Sequence, residues 1–184
     1  DDACIEAVLA AGSTLVPSML FAARMMAVVD EAERRGEQFS WNTGLVRSPE
    51  EYAWRVRGAR EDFENIAKML PIAMEAGIPI AVGDDYGTAL LPPGDYASEL
   101  ELYVEHVGID AVDVLRWATK EGGRLVKPGG ELGTVAPGKL ADLLVVDGDP
   151  TADIACLGDR ARLRAIVRGG EFVKDELPDA SDGG

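Results

Sequence analysis

A continuous apolar run, Ile-Pro-Ile-Ala-Val at residues 78–82, limits the folds open to this chain more than any other feature. An uninterrupted run of this kind is typical of a strand buried on both faces in a parallel sheet. Parallel strands need long crossover connections, usually helices, so the run favours an α/β fold. It ends in Gly83, Asp84 and Asp85, which places two acids at the carboxyl end of the predicted strand.

The predicted elements divide the chain into two parts. Residues 1–127 alternate helical periodicity with short apolar strands, one of them at residues 13–20, which predicts βα units. Residues 128–184 are rich in turns and end in two short strands around Gly169 and Gly170, a hairpin signal, followed by a frayed tail. We therefore predict one domain at 1–127 and a small β domain at 128–184.

The longest helix has clear boundary signals. Ser48 and Pro49 are typical of a helix start, and Pro71 is expected to end or kink the helix. Its predicted apolar stripe comprises Tyr52, Val56, Ala59, Phe63, Ile66 and Leu70.

Two further helices are predicted before residue 127. The first is expected to turn the following side chains inward: Tyr96, Leu100, Tyr103 and Val107. The second should be capped by Asp110 and stopped by Gly122 and Gly123.

Charge and composition argue against two kinds of partner. The net charge of −15 and the absence of a Lys/Arg cluster argue against nucleic acid, since phosphate backbones need a basic face. No apolar stretch approaches the ~20 residues of a membrane span, and the first residues lack the features of a signal peptide.

Cys4 and Cys156 lie far apart and are predicted to be reduced and buried, as in a cytoplasmic protein.

Two other possible motifs are rejected. Gly133, Gly138 and Lys139 match the skeleton of a phosphate-binding loop, but Leu140 stands where Ser or Thr is required and a strand follows instead of a helix. His106 is the only histidine, and without companion ligands it is interpreted as a surface residue at a helix end.

Asp84 and Asp85 are the candidate functional residues. A carboxylate at the carboxyl end of a parallel strand can be a metal ligand, a general base, or both. Alternatively, one acid caps a turn and the other faces solvent. Position alone does not choose between these alternatives, or between the two acids.

The order of these motifs resembles the C-terminal third of the amidohydrolase superfamily, in particular its prolidase-like and imidazolonepropionase-like branch. The resemblance rests on "GDDYG", "ELELYVEHVG", "AVDVLRWAT", the closing "AIVRGGEFV" and, most specifically, G-x-x-x-P-G-K-x-A-D-L at residues 133–143. It implies the C-terminal part of a (β/α)8 barrel, beginning after the sixth strand, followed by strands of a small β-sandwich.

The resemblance also implies a site. Gly83 matches the family's glycine and Asp85 its strand-eight aspartate, which ligates a divalent metal and shuttles a proton from a metal-activated hydroxide to the leaving amine. The metal is expected to be zinc, one or two ions, with most ligands outside these 184 residues. Asp84 replaces the family's small hydroxyl residue and adds a charge. Tyr86 is expected beside the site.

The implied activity is hydrolysis of a C–N bond in a small amide, such as an Xaa-Pro dipeptide or an N-acyl amino acid. The remaining N-terminal part of the barrel would be the essential partner, so the 184 residues alone are expected to be inactive. The alternative is a non-catalytic scaffold or binding fragment that needs another chain to complete the barrel. Uncovered strand edges make self-association into a homo-oligomer a further expectation.

Overall fold

A computed structural model describes residues 2–35, 49–88 and 90–178. In chain order the elements are α1 (Asp2–Ala10), α2 (Met19–Arg35), α3 (Pro49–Glu75), α4 (Ala97–Glu101), α5 (Ala111–Arg116), α6 (Gly122–Val126), β1 (Leu143–Val146), β2 (Leu163–Arg168) and β3 (Glu171–Asp175). π-Helical segments continue α4 over Leu102–His106 and α5 over Trp117–Glu121, and a 3₁₀ helix covers Ile154–Gly158. No helix in the described part of the chain is long and apolar enough to cross a membrane.

The two predicted parallel segments lie side by side. Leu15 and Ile80 form a parallel bridge, in which the Leu15 amide donates to Pro79 O (2.8 Å) and the Ala81 amide donates to Leu15 O (3.0 Å). Ile80 and Ala81 are buried, as the apolar run predicts. The prediction of regular strands at 13–20 and 78–82 is wrong, because the two segments meet in a single isolated bridge at Leu15 and Ile80, and α2 already begins at Met19.

Helices α2, α3, α4 and α5 cover these segments and share one apolar core. Ala59, Phe63 and Leu70 of the predicted α3 stripe are buried and Ile66 is half-buried, while Ser48 and the side chains of Tyr52 and Val56 lie outside the described residues. The largest side chains of the main core include Met19, Phe63, Leu70, Leu100, Tyr103 and Trp117.

Of the two alternatives predicted for Pro71, an end of the helix is wrong, because α3 continues to Glu75, and a kink stays a prediction. An internal proline removes one backbone hydrogen bond and disfavours a helix by about 3 kcal/mol. Leu70 and Ala73, on either side of the proline, are both buried in the core. Their packing offsets the proline penalty. The chain leaves the helix at Gly77, whose φ is 77°.

The prediction that Gly122 and Gly123 stop a helix is also wrong, because α6 spans Gly122–Val126. A Cβ on Gly123 would lie 2.9 Å from the backbone C and O atoms of Leu132. The missing side chain therefore allows the segment around Leu132 to approach the helix. The predicted cap at Asp110 is confirmed, because its carboxylate accepts a hydrogen bond from the Val112 amide (2.8 Å).

The inward stripe of α4 is confirmed at Leu100 and Tyr103 and wrong at Tyr96, which is 54% exposed. Tyr96 is the N-cap residue of α4, and its ring packs against Tyr86. The cysteines differ as well: Cys156 is buried, whereas Cys4 lies on α1 and is exposed.

The C-terminal part forms a three-stranded antiparallel sheet in the order β1-β2-β3. Arg168 pairs with Glu171 across the predicted two-residue turn, whose Gly169 and Gly170 have φ values of 60° and 87°. Positive φ at both positions is the requirement of a tight hairpin turn, which explains the glycine pair.

Candidate active site

Asp84 is held by backbone amides at the end of the second parallel segment. Its Oδ2 accepts a hydrogen bond from the Phe21 amide (2.9 Å), and its Oδ1 accepts one from the Asp85 amide (2.7 Å). Phe21 lies in the first turn of α2, where amides lack partners within the helix and the helix dipole favours negative charge. Both carboxylate oxygens of Asp84 are therefore engaged by the protein itself.

Asp85 differs from Asp84 in exposure and in hydrogen bonding. Its side chain is exposed, and its carboxylate makes no hydrogen bond or ion pair with any residue that the structure describes. Of the two adjacent acids, Asp85 thus has the carboxylate that is accessible at the strand end.

Gly83 allows the two parallel segments to converge before the acids. A Cβ on Gly83 would lie 2.9 Å from Cγ1 of Val16, which is closer than real Cβ contacts come. A larger residue would displace Val16 or move the backbone that carries Asp84 and Asp85.

Glu99, in α4, is a fully buried acid that binds the same helix start as Asp84. Its Oε1 accepts a hydrogen bond from the Met19 amide (3.0 Å) and its Oε2 accepts one from the Leu20 amide (2.6 Å). Glu99 is not among the functional residues predicted from the sequence. Its spacing offered a signal, because Glu99 lies four residues before the inward-facing Tyr103.

The Tyr103 hydroxyl joins Glu99 to the chain before α2. It contacts Glu99 Oε1 and lies 2.8 Å from Pro17 O. One hydroxyl proton can serve only one of these acceptors. If Glu99 is protonated, it donates to the Tyr103 oxygen, Tyr103 donates to Pro17 O, and every polar atom in the chain of contacts has a partner.

Burial favours the protonated form of Glu99. Burial raises the pKa of Glu99 to about 7. It outweighs the hydrogen bonds that the ionised carboxylate would accept from the Tyr103 hydroxyl and from the Met19 and Leu20 amides, which lower the pKa. The same burial, together with the charge of Glu99, raises the pKa of Tyr103 above its ordinary range.

Tyr86 follows Asp85 and contributes a polar group to the same region. Its hydroxyl oxygen is buried and has no hydrogen-bond partner within the described chain. Its ring meets Tyr96 edge-to-face, with centroids 4.5 Å apart. Burial, followed by the charges of Glu99 and Asp84, raises the pKa of Tyr86 to about 12. Tyr86 is therefore a neutral hydroxyl at ordinary pH.

Arg24 of α2 fastens the loop that follows these residues. Its guanidinium donates to Leu90 O (2.8 Å) and forms an ion pair with Asp95. Asp95 in turn accepts a hydrogen bond from Ser98 (2.5 Å), at the start of α4. The segment between the acids and α4 is thus tied to α2.

The structure also describes the two rejected motifs. Lys139 donates to Gly130 O instead of facing an anion cradle. His106 is exposed, as predicted, and its ring centroid lies 4.5 Å from that of Phe63.

The donor chemistry of this site fits a divalent metal, for which the described residues supply one ligand, Asp85. An accessible carboxylate is an ordinary zinc ligand, and Asp85 has one. No group of three or more His, Cys, Asp or Glu side chains that could hold a metal occurs in residues 2–35, 49–88 and 90–178. A four-coordinate ion here requires ligands from elsewhere.

Comparison with known proteins gives one family. The model of the amidohydrolase family matches residues 4–173. A prolidase solved with N-methylphosphonate-L-proline superposes with a TM-score of 0.68 and 26% identity, over 95% of this chain and 38% of its own. No curated protein sequence matches the chain.

Two other solved structures share the fold. A Xaa-Pro dipeptidase with bound methionine has a TM-score of 0.66 and 24% identity, over 95% of this chain and 37% of its own. The ochratoxinase of A. niger has a TM-score of 0.59 and 21% identity, over 82% of this chain and 31% of its own. The chain therefore spans less than two fifths of the length of these similar structures.

Proposed function

Because the chain belongs to the amidohydrolase family, we propose that it is the C-terminal part of a metal-dependent hydrolase that cleaves C–N bonds in small amides. The observation that carries the proposal is the contrast between the two strand-end acids. Asp84 is bound by two backbone amides, whereas Asp85 is exposed and its carboxylate has no hydrogen bond to the residues that the structure describes.

Asp85 is the proposed metal ligand and proton carrier. A bound divalent ion, zinc in this proposal, would lower the pKa of water to near neutrality and polarise the substrate carbonyl. Asp85 would accept a proton at a carboxylate oxygen as the carbonyl carbon is attacked, and deliver it to the departing amine nitrogen. An accessible carboxylate without internal hydrogen bonds can perform both steps.

The other ligands are proposed to lie in the remaining N-terminal part of a (β/α)8 barrel. Residues 1–127 would contribute the last βα units and residues 128–184 strands of a small β-sandwich. The parallel bridge between Leu15 and Ile80 and the coverage of 38% of the similar prolidase support this division of the fold. The number of bound ions, one or two, depends on ligands in that N-terminal part. The cytoplasmic location and the self-association of the protein stay predictions.

The proposed substrates are Xaa-Pro dipeptides or N-acyl amino acids. The support is the likeness to a prolidase solved with N-methylphosphonate-L-proline. Tyr86, next to Asp85, has a neutral hydroxyl without a partner in the described chain, and we propose that it faces the substrate side of the site.

The test is Asp85→Asn in the complete protein, with metal content and hydrolysis of Xaa-Pro dipeptides measured together. We expect loss of at least one bound ion, or a weaker metal affinity, and a fall in kcat of about 10³-fold or more, since the variant removes a ligand and the proton carrier.

The control is Asp62→Asn, which removes the same charge from an exposed position on α3. It should leave metal content and kcat unchanged. Full activity and full metal content in Asp85→Asn would contradict the proposed function.

A further inference from the structure

The first three amides of α2 have unusual partners. Met19, Leu20 and Phe21 occupy positions where a helix has no internal acceptor. All three donate to carboxyl oxygens distant in sequence: Met19 and Leu20 to Glu99, and Phe21 to Asp84. We call these five residues the α2 clamp.

The clamp joins three pieces of backbone around the strand ends. Helix α2 follows the first parallel segment, Asp84 follows the second, and Glu99 lies in α4 beyond the loop. The carboxylate of Asp84 binds Phe21 with one oxygen and the Asp85 amide with the other. The backbone of Asp85 is thereby fixed relative to the start of α2.

We propose that Asp84 and Glu99 are positioning residues, which set the place of Asp85 through α2 and do not ligate the metal. The inference rests on the proposed function for the role of Asp85. Asp84 could swing toward an ion only by releasing two backbone amides, one of them in the first turn of a helix that attracts its charge. Glu99 is fully buried and has both oxygens engaged.

A ligand and a positioning residue differ in measurable ways. Removal of a ligand lowers metal affinity, whereas removal of a positioning residue leaves the ion bound and misplaces the group that transfers the proton. A misplacement of about 1 Å can lower turnover about 10²-fold. The inference therefore predicts a fall in kcat with KM and metal affinity unchanged.

The test uses Asp84→Ala, Asp84→Ser and Asp85→Asn in the complete protein, with Glu101→Gln as the control on α4. Metal affinity is measured by competition with a chelator, kcat and KM with an Xaa-Pro dipeptide, and the exchange of the Phe21 and Asp85 amides by NMR. Glu99→Gln is a secondary variant, because loss of a buried acid also destabilises the fold.

We expect Asp84→Ala to lower kcat about 10- to 100-fold, with metal affinity and KM within about twofold of the wild type. Both amides should exchange faster. Asp84→Ser keeps one acceptor oxygen and should recover part of the loss. Asp85→Asn should instead weaken metal binding, and Glu101→Gln should match the wild type.

Three outcomes would overturn the inference. These are weakened metal binding in Asp84→Ala to the extent seen in Asp85→Asn, unchanged kcat in Asp84→Ala, and unchanged exchange of the Phe21 and Asp85 amides. A wild-type protein that binds no metal and hydrolyses no amide would overturn the proposed function. The exchange measurement would still decide whether the clamp exists, so the two failures can be told apart.

Discussion

Replacing Glu99 by Gln should change how the stability of the protein depends on pH. Burial raises the pKa of Glu99 from its ordinary 4.5 to about 7 in the folded protein. The folded state therefore binds the proton more tightly than the unfolded chain. The resulting stability is fully present below pH 4.5 and is lost as the pH rises through 7.

The size of the effect follows from the shift. A difference of one pKa unit corresponds to 1.36 kcal/mol, so the full shift is worth about 3 kcal/mol, of which about 2.5 kcal/mol is lost between pH 5 and pH 8. Within the described chain, the charge of Asp84 raises the pKa of Glu99 further, whereas hydrogen bonds from the Tyr103 hydroxyl and the Met19 and Leu20 amides oppose the rise. Gln cannot ionise and contributes no such pH dependence.

The assay is urea unfolding of the complete protein and of Glu99→Gln at pH 5, 6, 7 and 8. The variant should be the less stable protein at pH 5, because its amide group meets a backbone donor of α2. The difference between the two unfolding free energies should shrink by about 2.5 kcal/mol by pH 8. Glu101→Gln, on the same helix, should keep the wild-type pH dependence. Parallel curves for the wild type and Glu99→Gln would refute the reasoning.

Two further predictions concern packing and the loop. Gly133→Ala should lower the free energy of unfolding by more than about 2 kcal/mol, because the new Cβ would lie 2.3 Å from Thr119 O. Gly138→Ala is the control, since Gly138 has a similar φ but open space around it, and it should lower the free energy of unfolding by only about 1 kcal/mol. Equal melting temperatures of the two variants would contradict this. Arg24→Ala should release Leu90 O and Asp95, so that the amides of residues 86–88, 90–91 and 94–96 exchange faster while those of the β2–β3 hairpin are unchanged. Unchanged exchange in the loop would show that other contacts hold it.

The parts of the fold that were predicted correctly depend on neighbours in sequence. The Gly169-Gly170 hairpin needs two consecutive residues at positive φ, and the cap at Asp110 needs an amide two residues away. Both requirements can be recognised in a short window of sequence. The burial of Ile80 and Ala81 was predicted in the same way, from the unbroken apolar character of residues 78–82.

The parts that were missed depend on distant contacts. Pro71 stays within a helix because Leu70 and Ala73, on either side of it, pack in the core. Gly123 leaves room for the backbone of Leu132, a contact that no local sequence pattern predicts. The partners of Glu99 are 79 and 80 residues away, and that of Asp84 is 63 residues away. The sequence could identify the pair of acids but not which of them the helix would bind.

These separations also bear on the order in which the molecule folds. Closing loops of 63 to 80 residues has a larger entropic cost than forming contacts between helices that are neighbours in sequence. Helices α2 and α3 can pair early, and we expect the α2 clamp to close afterwards. A chain halted before that step would hold most of its helices while Asp85 had no defined position, so we expect the site to form among the last events of folding.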